Sequence, residues 1–234
     1  MASWQVNKLE LQRAAELLRA ETLAVQGVQK VRLLHQISEM EEVARLIGKG
    51  ELGPHFARSQ NDISPGQVMV MAAYGDDDQP VGMVAARYDD KPGWDLKDFL
   101  IAHWSRLYPA EQPGVFAEFA QGSCEYAKGL RGPFSYIGDG WIAKSHRGGN
   151  LLGLIQKWLI LTAYDEWKPE LTYGWMRPDK VLGGYAARWG YSMVYPRGIE
   201  WRIPPKQADL RDVYFVGVDR AGMLQMVKDL TYGG

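Results

Sequence analysis

The chain has 234 residues, 46% of them hydrophobic, and its 27 basic residues nearly balance 28 acidic ones. This length supports one well-buried domain, and no linker, internal repeat or low-complexity tract divides the sequence. The near-neutral charge lacks the basic excess that is typical of proteins that track a nucleic-acid duplex.

Cys124 is the only cysteine, so an intramolecular disulfide is excluded. The segment Met1–Lys8 carries no basic-then-apolar leader, and the apolar run Leu151–Tyr164 is too short to span a bilayer. These features predict a cytoplasmic protein.

The N-terminal part of the sequence predicts a helix, a strand and a second helix. Apolar residues at helical spacing indicate a helix over Leu9–Val25, and a strand is predicted at Gln29–Leu34. The second helix covers Ser38–Ile47. Ser38 and Glu41 have the spacing of a capping box, in which each side chain hydrogen-bonds the other residue's backbone amide.

A hairpin and a long helical segment follow. Two apolar runs, Val68–Tyr74 and Val81–Tyr88, flank a turn-rich segment and predict the hairpin. Between Pro92 and Pro133 the pattern becomes helical, with an amphipathic helix that begins near Leu96 and a shorter one over Phe116–Lys128. The number of aromatic residues in this stretch is too high for a disordered segment.

In the second half of the chain, predicted strands and helices alternate. This alternation, together with hairpins at both ends, predicts the mixed α/β class. The predicted elements are strand Ser135–Ala143, helix Leu151–Trp167, strand Leu171–Met176, helix Pro178–Trp189, strands Met193–Tyr195, Ile199–Ile203 and Val213–Val218, and a terminal helix over Met223–Leu230.

The loop Lys144–Asn150 has the features of an anion site. A strand that feeds a glycine-bearing turn and then a helix places free N–H groups and the positive end of the helix at one point. Arg147 adds a positive charge, and Asn150 is a plausible N-cap. A pyrophosphate would suit such a site, although an ordinary strand-to-helix turn with a solvated arginine would have the same sequence.

Three pieces in order resemble the GCN5-related N-acetyltransferase (GNAT) superfamily: Val31-Arg32-Leu33-Leu34 with the helix after it, the hairpin with Val81-Gly82, and the segment from Ser135 to Tyr191. The last piece contains Ser145-His146-Arg147-Gly148 and closes with Arg188-Trp189-Gly190-Tyr191. The resemblance implies an α/β fold with a mixed sheet, an extra N-terminal helix and a helical insertion between the third and fourth strands. It implies one domain over 1–234, with an N-terminal helical extension (1–27), a core (28–204), the insertion (91–133) and a C-terminal extension (205–234).

The resemblance also implies acetyl-CoA or another acyl-CoA as co-substrate, without a metal. Aligned on Arg147, the family's loop would have small residues where this chain has Asn150 and Leu152. Some GNAT-like proteins with such degenerate loops take the acyl group from acyl carrier protein, and a descendant that only binds is a further alternative. The residues implied in binding the donor are Trp141, Ile142, Ala143, Arg147, Gly148, Gly149, Asn150, Leu151 and Leu152.

Two side chains are candidates for the chemistry. Asp139 lies between two glycines in a predicted strand and, by period-two alternation, would share a face with Ile137 and Trp141. A carboxylate among apolar neighbours could act as a base, or it could pair with an arginine. In the family a tyrosine four residues before the closing glycine often reprotonates the thiol. Here that position is Ala186, and Tyr185 is one residue away, so Tyr185 is either catalytic or a core residue.

The predicted activity is transfer of an acyl group, acetyl or longer, to a small-molecule amine. The alternatives are an acyl-carrier-protein-dependent synthase of N-acyl amino acids or signals, a phage-type nucleobase-modifying relative, and a non-catalytic binding protein. We expect the insertion to shape the acceptor pocket or a homodimer contact with exposed aromatic residues such as Trp94 and Tyr108. Simple coverage of the sheet is the alternative.

Overall fold

A seven-stranded mixed sheet organises the chain in the computed structural model, which describes residues 6–233. Residues 1–5 of the predicted N-terminal extension and Gly234 lie outside the described residues. Neighbouring strands are antiparallel except β5 and β6, which run parallel. In spatial order the strands are β1 (Lys30–Leu34), β2 (Val68–Tyr74), β3 (Pro80–Asp89), β5 (Phe134–Ile142), β6 (Leu171–Met176), β9 (Tyr214–Asp219) and β7 (Met193–Tyr195). The predicted α/β class with a mixed sheet is confirmed.

Helices cover both faces of this sheet. On one face, α1 (Lys8–Leu23) packs against α4 (Leu151–Trp167) and α7 (Arg220–Tyr232). On the other face, α2 (Ile37–Leu46) covers β2 and β3. The insertion contributes α3 (Leu96–Trp104) to this second face. Two short helices, α5 (Pro178–Leu182) and α6 (Tyr185–Arg188), connect β6 to β7. Within residues 6–233 no helix is long and apolar enough to cross a membrane.

The inserted segment covers part of the same face of the sheet as α2. Trp104 and Tyr108 are buried against Phe134, Tyr173 and Phe215 of the strands. The prediction that Tyr108 is exposed is therefore wrong, whereas Trp94 is exposed as expected. The predicted helix over 116–128 is also wrong. In its place β4 (Glu118–Phe119) pairs with β8 (Trp201–Ile203) in a separate two-stranded sheet.

Local geometry corrects three further predictions. Helix α2 begins after Gln36, which makes no side-chain cap, so the Ser38–Glu41 capping box does not form at the helix start. The predicted helix 178–189 is divided because Gly184 adopts a left-handed φ of 76° between α5 and α6. The core does not end at residue 204, since β9 lies inside the sheet between β6 and β7.

The parallel pair β5 and β6 separates partway along its length. The two strands are in register only from Phe134 with Leu171 to Ile137 with Gly174. Beyond these residues β5 continues to Ile142 and β6 to Met176 without pairing to each other. Backbone groups on the two facing edges are therefore left without sheet partners, and a gap opens through the sheet.

Candidate functional site

A cavity of about 330 Å³ occupies the gap between β5 and β6. Its walls come from both faces of the sheet, because Leu152 and Gln156 belong to α4 while Tyr136 and Trp175 project from the strands toward the insertion. The other lining residues include Gly138, Asp139 and Gly140 of β5, Arg177 and Lys180 after β6, and Trp189 and Tyr191 after α6. A larger depression elsewhere, beside His35 and Arg58, is not enclosed by separated strands.

A β-bulge in β5 forms one side of this cavity. Met83 of β3 pairs with Trp141 and Ala85 pairs with Gly138, so two residues of β5 face the single residue between them. The bulged residue Asp139 has a left-handed φ of 53°, a conformation that aspartate tolerates better than most residues.

The bulge turns Asp139 away from the face that strand alternation predicts. Its carboxylate accepts hydrogen bonds from the Gly53 amide at 2.8 and 3.1 Å and lies 3.3 Å from Lys49 Nζ. These partners follow α2, so Asp139 does not share the α4-facing side with Ile137. Burial raises the pKa of Asp139, and Lys49 and the Gly53 amide oppose that rise. The carboxylate is thus paired, with Lys49 in place of the arginine considered from the sequence.

The two glycines beside Asp139 are covered by side chains. A Cβ on Gly138 would lie 2.7 Å from the Tyr136 hydroxyl, and a Cβ on Gly140 would lie 3.2 Å from Leu152 Cδ1. Their bare faces therefore accommodate an aromatic ring on one side of the sheet and the Leu152 side chain on the other. The Leu152 side chain therefore narrows the cavity over β5.

The loop before α4 leaves a run of amides free. Leu154 has the first amide of this helix that donates a hydrogen bond to a preceding backbone carbonyl, that of Asn150. Among residues 6–233, the amides from Gly148 to Gly153 donate to no protein group. Asn150 occupies the N-cap position, but its side chain makes no capping bond. Free amides at the positive end of a 17-residue helix suit a phosphate.

The predicted donor-binding residues do not all face this loop. Arg147 donates from Nε to the Ile142 carbonyl at 3.0 Å, and its guanidinium lies 5.2 Å from the centre of the Trp141 ring. Ala143 donates its amide to the Val81 carbonyl. Leu151 is buried in the core, so only its backbone amide is available to a ligand. Exposed Gly148 and Gly149 complete the loop.

Gly82 and Gly153 have packing roles at the start of α4. A Cβ on Gly82 would lie 2.9 Å from Ile142 Cδ1 and 3.3 Å from Leu151 Cδ2, so its absence lets the helix approach β3. A Cβ on Gly153 would lie 2.6 Å from Trp189 Cδ1. The small residue at 153 therefore admits the Trp189 ring, which forms part of the cavity wall.

Sequence reasoning missed several polar groups of the cavity. Gln156 Nε2 and Trp175 Nε1 are buried and have no hydrogen-bond partner within the described chain. Tyr136 and Tyr191 also line the cavity, and burial raises the pKa of both hydroxyls. The Tyr191 hydroxyl lies 3.0 Å from the position of a Cβ on Gly174, where β5 and β6 separate. One signal was present in the sequence, because Gln156 interrupts an otherwise apolar helical stripe.

Tyr185, the tyrosine considered for catalysis, is not a wall of the cavity. Its ring packs against Trp189 at 5.5 Å between centroids and is approached by Lys180 Nζ at 5.1 Å. Asp139 and Leu152 thus line the same cavity, and Leu152 belongs to the run of free amides at the start of α4, whereas Tyr185 is not among the lining residues.

No family model and no curated protein sequence matches the chain. Solved structures with a similar fold include NAA60 of Arabidopsis thaliana in complex with acetyl-CoA, with 12% identity and a TM-score of 0.47 over 81% of this chain and 97% of that one. FeeM, an N-acyl amino acid synthase from uncultured soil microbes, has 8% identity and a TM-score of 0.44 over 82% and 91%. RimL, a ribosomal L7/L12 alpha-N-protein acetyltransferase, has 11% identity and a TM-score of 0.43 over 83% and 96%. With TM-scores below 0.5, these similarities by themselves assign neither a family nor a substrate to the chain.

Proposed function

We propose that the protein is an N-acyltransferase that moves an acyl group from a coenzyme A thioester to an amine. The observation that carries this proposal is the gap between β5 and β6. A phosphate group can bind the free amides of residues 148–153 at the start of α4, and the cavity between the strands begins alongside the same helix. A thioester on a long phosphate-linked arm fits this combination of an anion site and a narrow passage.

The cavity supplies groups for the proton transfers of this reaction. The amine nitrogen forms a bond to the thioester carbon, the carbon–sulfur bond breaks, the nitrogen loses a proton and the thiol leaves protonated. Because burial raises the pKa of Tyr136 and Tyr191, both hydroxyls remain protonated at neutral pH and can donate hydrogen bonds. We assign Tyr191, at the point where the strands separate, the role that the sequence suggested for Tyr185.

Asp139 remains a candidate base, but its surroundings favour a supporting role. To accept a proton from the amine, the carboxylate would have to leave Lys49 or the Gly53 amide. We therefore propose that Asp139 first of all holds the segment after α2 against the β5 bulge.

An acyl carrier protein is a second candidate donor, supported by the charges beside the loop. Within residues 6–233, Lys144, Arg147 and Lys157 form no ion pair, and all three lie on α4 or on the loop before it. Unpaired cations suit both the phosphates of coenzyme A and the acidic surface of a carrier protein.

Thiol release tests the proposed function. The purified protein is incubated with acetyl-CoA, a long-chain acyl-CoA or acyl carrier protein, each with a panel of small amines, and free thiol is measured alongside the acylated amine. We expect amine-dependent release of thiol with at least one donor. Binding of coenzyme A without turnover on any amine would support the non-catalytic alternative, and absence of both binding and turnover would refute the proposal.

A further inference from the structure

Gln156 is the one polar side chain among the buried residues in the first half of α4. Its neighbours Leu151, Leu154, Ile155 and Leu159 are apolar and belong to the core. Gln156 is 5% exposed, its Nε2 atom has no hydrogen-bond partner in residues 6–233, and the residue lines the cavity between β5 and β6.

An unpartnered buried amide destabilises the free protein. Leaving such a group without a hydrogen bond costs about 1–3 kcal/mol, whereas an apolar side chain of similar shape would cost nothing of this kind. The Nε2 atom of Gln156 makes no hydrogen bond within the described residues and so does not stabilise the fold. A partner from outside the chain, bound in the cavity, would remove this cost.

The position of Gln156 on the helix indicates which part of a ligand it would meet. Gln156 follows Leu151 and Gly153 by about 5–8 Å along the axis of α4, at 1.5 Å per residue. Side chains on a helix lean toward its N-terminus, so the amide lies closer still to the free amides that suit a phosphate. In a 4′-phosphopantetheine arm, the first polar groups after the phosphate are the pantoyl hydroxyl and carbonyl, separated from it only by a short dimethyl-substituted spacer. The acyl group lies at the far end of the arm.

We infer that Gln156 binds the pantoyl hydroxyl and carbonyl of a 4′-phosphopantetheine arm whose phosphate lies on the amides of residues 148–153. This inference rests on the proposed function and names the part of the donor that the helix recognises. A carboxamide suits such a pair of groups because it can both donate and accept. The same arm is carried by coenzyme A and by acyl carrier proteins, so the contact serves either donor. Among the described residues that line the cavity, Trp175 carries the other buried donor without a partner, and it projects from β6 toward the insertion, so it takes no part in this contact.

The test uses Gln156→Met, which keeps the length of the side chain and removes its polar atoms. Calorimetry measures binding of coenzyme A, acetyl-CoA, 4′-phosphopantetheine and adenosine 3′,5′-bisphosphate, and thermal unfolding is followed without ligand. Gln225→Met, at an exposed position of α7, is the matched control. We expect the Gln156 variant to bind the first three ligands about tenfold or more weakly. Binding of the bisphosphate, which lacks the pantoyl group, should not change. The melting temperature of the free variant should rise by about 2–4 °C or more.

Other outcomes overturn the inference in distinguishable ways. Unchanged affinity for coenzyme A would show that Gln156 does not contact the arm. A loss confined to acetyl-CoA would place Gln156 at the acyl group, and a lower melting temperature would give it a structural role. If the wild-type protein binds none of the pantetheine ligands, the proposed function itself fails, and this inference fails with it. Adding 4′-phosphopantetheinylated acyl carrier protein as a competitor distinguishes the two sources of the arm.

Discussion

Replacing Asp139 with asparagine distinguishes a structural carboxylate from a catalytic base. Asparagine tolerates the left-handed φ of 53° at this position, so the substitution changes the charge and leaves the backbone unstrained. The side-chain oxygen can still accept from the Gly53 amide, but the amide group cannot pair with Lys49 Nζ, 3.3 Å from the native carboxylate. Because both side chains are about nine-tenths buried, we expect the free energy of unfolding to fall by about 1–3 kcal/mol. The melting temperature should fall by roughly 3–10 °C.

The assay combines thermal unfolding with turnover, and Asp179→Asn is the control because Asp179 pairs with Arg177 at the exposed surface. A supporting role predicts a loss of stability with donor binding intact. If Asp139→Asn melts at the wild-type temperature while turnover falls by about a hundredfold, the scale of general-base loss, Asp139 is the base and the structural interpretation is wrong.

The same variant has a defined dependence on pH. The pKa of Asp139 is raised in the folded state by burial, so the folded protein holds this proton more tightly than the unfolded chain. Below the ordinary aspartate pKa of about 3.9 both states are protonated, and stability falls as the pH rises from there through the raised pKa. Asparagine does not titrate. The free energy of unfolding of the wild type minus that of Asp139→Asn should therefore be larger near pH 4 than at neutral pH. Urea unfolding of both proteins at several pH values measures this difference.

Three further predictions concern the donor loop, the cavity and the insertion. Arg147→Ala should weaken binding of coenzyme A by about 1–3 kcal/mol in calorimetry, and unchanged affinity would mean that this side chain serves only its contacts with β5. Leu152→Gly should raise the affinity for acetyl-CoA by widening the cavity, despite a helix-propensity cost of about 1 kcal/mol. A folded variant with equal or weaker affinity would show that the Leu152 side chain does not restrict donor binding. Tyr108→Phe should lower the free energy of unfolding by about 1–2 kcal/mol, because His55 Nε2 loses its hydrogen-bond partner at 2.9 Å. Replacing the exposed Trp94 with alanine should change the free energy of unfolding by less than about 0.5 kcal/mol. Similar losses in the two variants would contradict the difference in burial.

Long periodic segments were predictable from the sequence because their signals are local. Helix α4 and strand β6 have the predicted bounds, Leu151–Trp167 and Leu171–Met176. The sequence predicts strand β9 as a segment, but its place inside the sheet depends on pairing with residues 38 to 48 positions away, which no local pattern encodes. The failed helix over 116–128 has the same cause, since pairing of β4 with β8 overrides the local preference.

The site was less predictable because it depends on exceptions to regular geometry. Alternation placed Asp139 on the wrong face, since a single extra residue in β5 reverses the pattern beyond it. Its partners Lys49 and Gly53 are 86 to 90 residues distant in sequence. The glycine-bearing loop before α4 was found because strand, turn and helix are consecutive in the chain.

The position of β9 has a consequence for how the chain is assembled during synthesis. Until Tyr214–Asp219 has been made, β6 has no neighbour on one side, and β7 has no strand to pair with in the sheet. An unpaired edge of this kind is a template for joining another chain. A ribosome that pauses before residue 214 would therefore present a nascent protein with one cavity wall formed and the other edge of β6 open. Residues 214–219 close that edge, so the cavity acquires a complete sheet only when this late segment emerges.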